Sequence, residues 1–168
     1  MGARPRRGSW SELPVSPPQP RVSSRPPRVL VAEDDAEMRR LMIESLTSDG
    51  LEVVDAADGG QLLIHITSQY RLRPEPEPID LIVTDIRMPI VSGLDIVRSV
   101  REAGWPTPIV MVTAFADQDT RLRASELGAV LLEKPLKMSV LRLSVRSLLA
   151  QAAGPDAQPF RPGDAQSS

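Results

Sequence analysis

No cysteine occurs anywhere in the chain, so disulfides, thiolate metal sites and cysteine nucleophiles are all excluded. Aromatic residues amount to only 3%, so a position where a fold wants a ring can easily go unfilled. No apolar run is long enough to span a bilayer, and the first thirty residues lack the apolar centre of a secretory signal. A cytoplasmic protein is therefore expected. The single histidine, His65, falls in a helix-like segment away from the other polar clusters. It is expected to be a partly exposed helix residue rather than a phosphodonor.

What is present is unevenly placed. The formal net charge of −2 hides a split: residues 1–27 carry Arg4, Arg6, Arg7, Arg21 and Arg25 against Glu12, a surplus of +4. Residues 152–168 carry Asp156 and Asp164 against Arg161, which leaves −1 there and −5 for the span between. An acidic middle argues against a nucleic-acid-binding domain, and nothing suggests a membrane surface as partner. The basic arm reads as a solvated tail, with contact to an anionic partner as the alternative.

At 168 residues the chain suits one domain of ordinary size with extensions, and its 41% hydrophobic residues are enough for one core. Residues 1–27 hold seven prolines and almost no apolar periodicity, so this arm cannot bury enough surface to offset its ordering entropy. The close from 152 reads the same way, which places the domain at 28–151. Trp10 and Phe160 stand out in these tails, either as docking side chains or as incidental residues. Between the tails, strand-like and helix-like segments alternate. "RVLVA" from Arg28 is followed by "AEMRRLMIESLTSDG", with Met38, Leu41, Met42 and Leu46 at helical spacing and Gly50 as a stop. "LEVVDA" precedes "GGQLLIHITSQY", and "IDLIVTD" precedes "GLDIVRSVREAG", where Leu94, Val97 and Val100 share a face. "PIVMVT" precedes "DQDTRLRASELG", and "AVLLEK" precedes "MSVLRLSVRSLLAQ". Five βα units in a row predict an α/β fold, a parallel sheet covered by helices on both faces. The proline-broken stretch Arg71–Ile79 predicts a solvent-facing insertion.

In an open parallel sheet, ligands bind beyond the carboxyl ends of the strands. Reading each strand to that end yields Glu33, Asp34 and Asp35 after the first, Asp85 after the third, Thr113 after the fourth and Lys134 after the fifth. Four strands thus deliver polar side chains to one edge. Clustered carboxylates stay ionised only beside a cation, and acidic oxygens without histidine or cysteine favour a hard ion such as Mg²⁺. Lys134 adds a point charge, the Thr113 hydroxyl can bond a phosphoryl oxygen, and the small Ala114 leaves a path to it. Taken singly, each residue has a plainer role; Asp35 in particular reads as a helix N-cap.

"VAEDD", "DLIVTDIRMPIVSG", "IVMVTA" and "LLEKP", in this order and spacing, resemble the receiver domain of two-component response regulators over roughly residues 28–151. The resemblance implies a flavodoxin-like, doubly wound (βα)5 fold with strand order 2-1-3-4-5. It implies that Asp85 is the phosphoacceptor, taking a phosphoryl group from a sensor histidine kinase or phosphotransfer protein. Glu33 and Asp34 would then hold Mg²⁺ together with Asp85 and the backbone carbonyl of Arg87, with Asp34 the direct ligand and Glu33 acting largely through water. Thr113 and Ala114 would bind the phosphoryl group, Thr113 as the switch. Lys134 would pair with the acceptor, aimed by a cis peptide before Pro135. Arg87 and Phe115 would tune the phosphoryl lifetime.

One position departs from the family. Three residues before the lysine a tyrosine or phenylalanine usually swings behind the threonine, but Leu131 stands there, and neither Tyr70 nor Phe115 takes its place. The leading expectation is a single-domain response regulator that catalyses only its own phosphorylation and dephosphorylation. Its output would pass through protein contacts, including a homodimer through the fourth and fifth helices. A receiver-like adaptor that works without phosphorylation is the alternative. An aspartyl phosphatase would want a second aspartate two residues after its nucleophile, where this chain has Arg87.

Overall fold

The computed structural model describes residues 25–71 and 78–154. Trp10, Phe160, most of the Arg71–Ile79 stretch and the arm up to residue 24 lie outside the described residues. Five strands alternate with five helices: β1 (Arg28–Ala32), α1 (Ala36–Ser48), β2 (Glu52–Ala56), α2 (Gly59–Arg71), β3 (Leu81–Asp85), α3 (Gly93–Glu102), β4 (Ile109–Thr113), α4 (Gln118–Glu126), β5 (Val130–Glu133) and α5 (Met138–Ala153). All strand pairs are parallel and the order is β2-β1-β3-β4-β5, the flavodoxin-like arrangement.

The two-residue period of a strand sorts the core into two layers. Leu30, Ile82, Ile109 and Met111 point to one face, where Leu62 and Ile66 of α2 and Ile96, Val97 and Val100 of α3 cover them. Val29, Val31, Leu81, Val83, Val110 and Val112 point to the other, against Met42 and Leu46 of α1 and Leu141 and Val145 of α5. Every residue of the central strands β3 and β4 is buried, whereas the edge strand β5 is only partly so. Complete burial of a branched side chain is worth about 1.5–3 kcal/mol. Leu41 is the exception among the predicted helix-face residues: at 44% exposure it lies on the flank of α1 while Met42 and Leu46 turn inward.

Local chemistry sets the helix starts. The carboxylate of Asp35 accepts the Met38 N–H at 2.7 Å, that of Asp117 accepts the Thr120 N–H at 2.7 Å, and the Ser92 hydroxyl accepts the Leu94 N–H at 3.2 Å. Asp35 is thus the cap its position implies. β3 begins at Leu81 rather than Ile79, because the Asp80 carboxylate turns aside to accept the Arg28 N–H at 2.7 Å and to pair with Arg25 at 3.0 Å. Arg25 therefore belongs to the folded body rather than to the tail. At the other end, α5 continues through Ala152 and Ala153, which read as tail in sequence, and stops at Gly154 with φ 84°.

Two charged clamps fasten the helices. The Arg101 guanidinium donates to the carbonyls of Leu127, Trp105 and Thr107 at 2.8, 2.7 and 2.9 Å, joining the ends of α3 and α4 to the entrance of β4. Asp49, the C-cap of α1, is only 3% exposed and meets Arg142 and Arg146 of α5, the latter at 2.8 Å. Burial alone would push the Asp49 carboxyl up, but the two guanidinium groups outweigh it and hold it below its ordinary value. Its contribution to stability is therefore present above the unfolded carboxylate pKa and lost as pH falls through the depressed native one. Asp49→Asn should cost about 1–2 kcal/mol at neutral pH, less than a fully buried pair because both arginines are half-exposed. Urea titrations from neutral to strongly acidic pH check this, with the wild-type and variant stabilities converging at the acid end.

Candidate functional site

The sheet's register brings four strand ends to one edge. β1 ends beside β3, and β3 ends beside β4, with Asp85 level with Val112 and Thr113 level with Glu133 of β5. Glu33, Asp85, Thr113 and Lys134 follow from that alignment rather than from any loop excursion. Glu33 is fully buried and Asp85 is 5% exposed, whereas Asp34 stands in solvent. One carboxylate oxygen each of Glu33, Asp34 and Asp85 lies within 4.8 Å of the others.

Lys134 links the carboxylates. Its Nζ is 2.6 Å from Asp85 Oδ2 and 2.9 Å from Glu33 Oε2. Burial pulls the ammonium down, yet the contacts with Asp85 and Glu33 more than offset it, so Lys134 titrates above its ordinary value. For Glu33 the balance falls the other way. Burial pushes its carboxyl up, and the pull of Lys134 and of the Asp35 N–H, 3.1 Å from Oε1, does not cancel that push. Glu33 Oε2, though within ion-pair reach of Lys134, has no well-directed hydrogen bond. Three carboxylates facing one ammonium, with a buried oxygen short of donors, form a set that fits a small divalent cation with oxygen ligands.

Asp85 is held by its backbone neighbours as well. Oδ1 accepts the Arg87 N–H at 2.8 Å, and the Thr84 hydroxyl donates to the Asp85 carbonyl at 2.9 Å. The loop after it closes at once: the Gly93 N–H and the Ser92 hydroxyl both donate to the Ile86 carbonyl, at 3.0 and 3.1 Å. A Cβ at Gly93 would stand 2.1 Å from the Asp85 carbonyl oxygen, so only glycine permits this approach. Thr84, Ser92 and Gly93 are supporting residues that lie within the quoted motif but to which the sequence reading gave no role; a Ser-Gly pair at the start of a helix was the available signal.

Thr113 is buried, and its hydroxyl is engaged within its own loop, donating to the Phe115 carbonyl and accepting the Phe115 N–H, both at 3.2 Å. Ala114 and the Phe115 ring are exposed beyond it. The Lys134 N–H donates to the Thr113 carbonyl at 2.8 Å, and the Lys134–Pro135 peptide is cis, as expected. Leu131 is half-buried and packs on the core layer shared with α2 and α3. His65 is half-buried on α2, and the side chain of Tyr70 lies outside the described residues. Removing the shared cation should be costly: Lys134→Met is expected to lose about 1–3 kcal/mol, because it leaves two buried carboxylates uncompensated. Adding Glu33→Gln should return part of that loss, as measured by urea unfolding at neutral pH.

Comparison with known proteins agrees with the architecture. The family described as response regulator receiver domain matches residues 29–146. The transcriptional regulatory protein CusR of Escherichia coli strain K12 is 36% identical over 129 residues, covering 75% of this chain and 52% of CusR. The chain spans about half the length of several curated relatives it matches. Among solved structures, the Francisella response regulator 1452 receiver domain aligns with TM-score 0.66 at 25% identity, covering 74% of this chain and 98% of that one. A response regulator receiver protein from Pseudomonas putida aligns with TM-score 0.61 at 31% identity, covering 73% and 97%.

Proposed function

The chain belongs to the response regulator receiver domain family, and from that premise we propose that it is a phosphorylatable switch whose acceptor is Asp85. The observation that carries this reading is the Lys134 ammonium set 2.6 Å from Asp85 Oδ2 and 2.9 Å from Glu33 Oε2, at the carboxyl edge of a parallel sheet. The Asp85 carboxylate attacks the phosphorus of a phosphohistidine on a sensor kinase or phosphotransfer protein. A new O–P bond forms as the P–N bond breaks, and the departing imidazole nitrogen takes up a proton. Lys134 then shifts its charge from the spent carboxylate to the phosphoryl oxygens.

Glu33, Asp34 and Asp85 would hold Mg²⁺, with the Arg87 carbonyl as a further ligand; when bound, the ion neutralises the charge that builds between carboxylate and phosphoryl group. Thr113 supplies the response. Turning its hydroxyl toward the phosphoryl oxygens would release both bonds to the Phe115 backbone and free the β4–α4 loop. On this reading the loop moves between that arrangement and a second one, and the phosphoryl charge biases the choice.

Output passes through contacts with other proteins, with pairing through α4 and α5 as one route, and catalysis is limited to the protein's own phosphoryl group. Among the described residues no helix is long and apolar enough to cross a membrane, and a cytoplasmic location suits a kinase-fed switch. Leu131 in the place of the usual ring favours a second reading, an adaptor that needs no phosphorylation.

Intact-protein mass after incubation with acetyl phosphate decides between them. A Mg²⁺-dependent gain of a single phosphoryl group, absent in Asp85→Asn, is the expected result. No gain where a control receiver is modified would favour the adaptor. Sustained turnover of a small phosphate ester would point instead to a phosphatase.

A further inference from the structure

The β3–α3 loop carries an isoleucine in a backbone conformation that isoleucine avoids. The Val91 N–H donates to the Pro89 carbonyl over 3.0 Å, and Ile90 between them has φ 75°. That is the positive-φ form of the γ-turn, a rare and strained turn. Glycine enters it freely and asparagine at small cost, but a β-branched side chain there is a true outlier. Little is gained inside the fold in return. Ile90 is 79% exposed, and its side chain lies over Gly60 in the first turn of α2, where a Cβ would stand 3.3 Å from Cδ1. Backbone strain combined with an exposed apolar tip calls for a reason outside the folded chain.

The position of the turn supplies one. The loop leaves Asp85 and returns at Gly93, closing on the Ile86 carbonyl, so Ile90 stands out on the longest of the strand-to-helix loops at the rim of the acceptor site. Asp85 is itself only 5% exposed. A donor carried on a protein has to press its surface onto that rim to bring phosphorus into line with the carboxylate, and it buries whatever stands there. A small donor does not. We propose that Ile90 is a docking residue for the phosphohistidine-bearing protein, seated in an apolar pocket beside the donor histidine; this rests on the reading of Asp85 as phosphoacceptor. The γ-turn holds the side chain out as a fixed knob, so little conformational freedom is lost on binding.

Ile90→Gly and Ile90→Asn both accept positive φ and should fold at least as well as wild type, while Ile90→Leu keeps an apolar tip. The protein donor is the kinase that transfers fastest to the wild-type chain among a panel of purified, autophosphorylated histidine kinases. Transfer from it to the Gly and Asn variants should fall about tenfold in kcat/KM, chiefly through KM, with Leu retaining most of the rate. Labelling of all the variants by acetyl phosphate should stay within about twofold of wild type, since no surface is apposed. Equal transfer to wild type and to the Gly and Asn variants would overturn the proposal. So would a lack of transfer from every kinase, or a change confined to self-association of the chain. Failure of acetyl phosphate to label Asp85 in the wild type would instead remove the phosphoacceptor reading on which the proposal stands.

Discussion

A buried carboxylate cannot stay charged without a cation within reach, and in this protein one ammonium serves two of them. Lys134 comes from the end of the edge strand β5, Glu33 from the end of β1, and Asp85 from the end of β3 between them. The pairing holds only while the strands keep their register, since a one-residue slip would turn each side chain to the other face. In return, the ion pair ties the mouth of the sheet together across β4. The same constraint shapes the chemistry. A site left with more negative charge than Lys134 can balance has room for a second cation and for an electrophile that shares the load.

The rest of the fold serves to keep that edge still. The central strands are sealed on both faces, so their carboxyl ends have little freedom. Behind them, Asp49 pins α5 to α1 and Arg101 binds the ends of α3 and α4 to the approach of β4. On the open side the contacts are looser. The Arg121–Glu133 pair, 2.9 Å apart, is exposed at both ends, and Arg121 also holds the Ala116 carbonyl at 3.0 Å in the β4–α4 loop. Rigid support on one side of Thr113 and exposed, weak ties on the other form an arrangement that can move in one direction.

Much of this was legible from residue order. Alternating apolar runs and helical faces located all ten elements, because a parallel sheet buried on both sides demands continuous apolar strands. The site residues were legible for the same reason: a polar residue that ends such a strand must lie on the ligand-binding edge. The misjudged residues were those whose environment depends on distant partners. Leu41 reads as a core residue because its spacing fits, but the apolar face of α1 is narrower than the pattern suggests. Arg25 and Asp80 read as tail and strand, and their mutual ion pair makes each something else. Asp49 carried no expectation at all, because its burial comes from the arginines of α5, more than ninety positions away.

By itself, the order of residues determined the βα repeat, the edge at which the acidic, hydroxyl and ammonium groups gather, and the caps that start the helices, because each of these follows from contacts within a few positions or from a strand's period of two. Only the tertiary structure decided how near Lys134 comes to Asp85 and that it reaches Glu33 as well, that the Thr113 hydroxyl is spent on its own loop, and that Ile90 stands exposed in a strained turn. Those outcomes depend on how far apart atoms fall after strands and helices have packed. Chain spacing does not encode that distance for residues 49 positions apart, as Lys134 and Asp85 are.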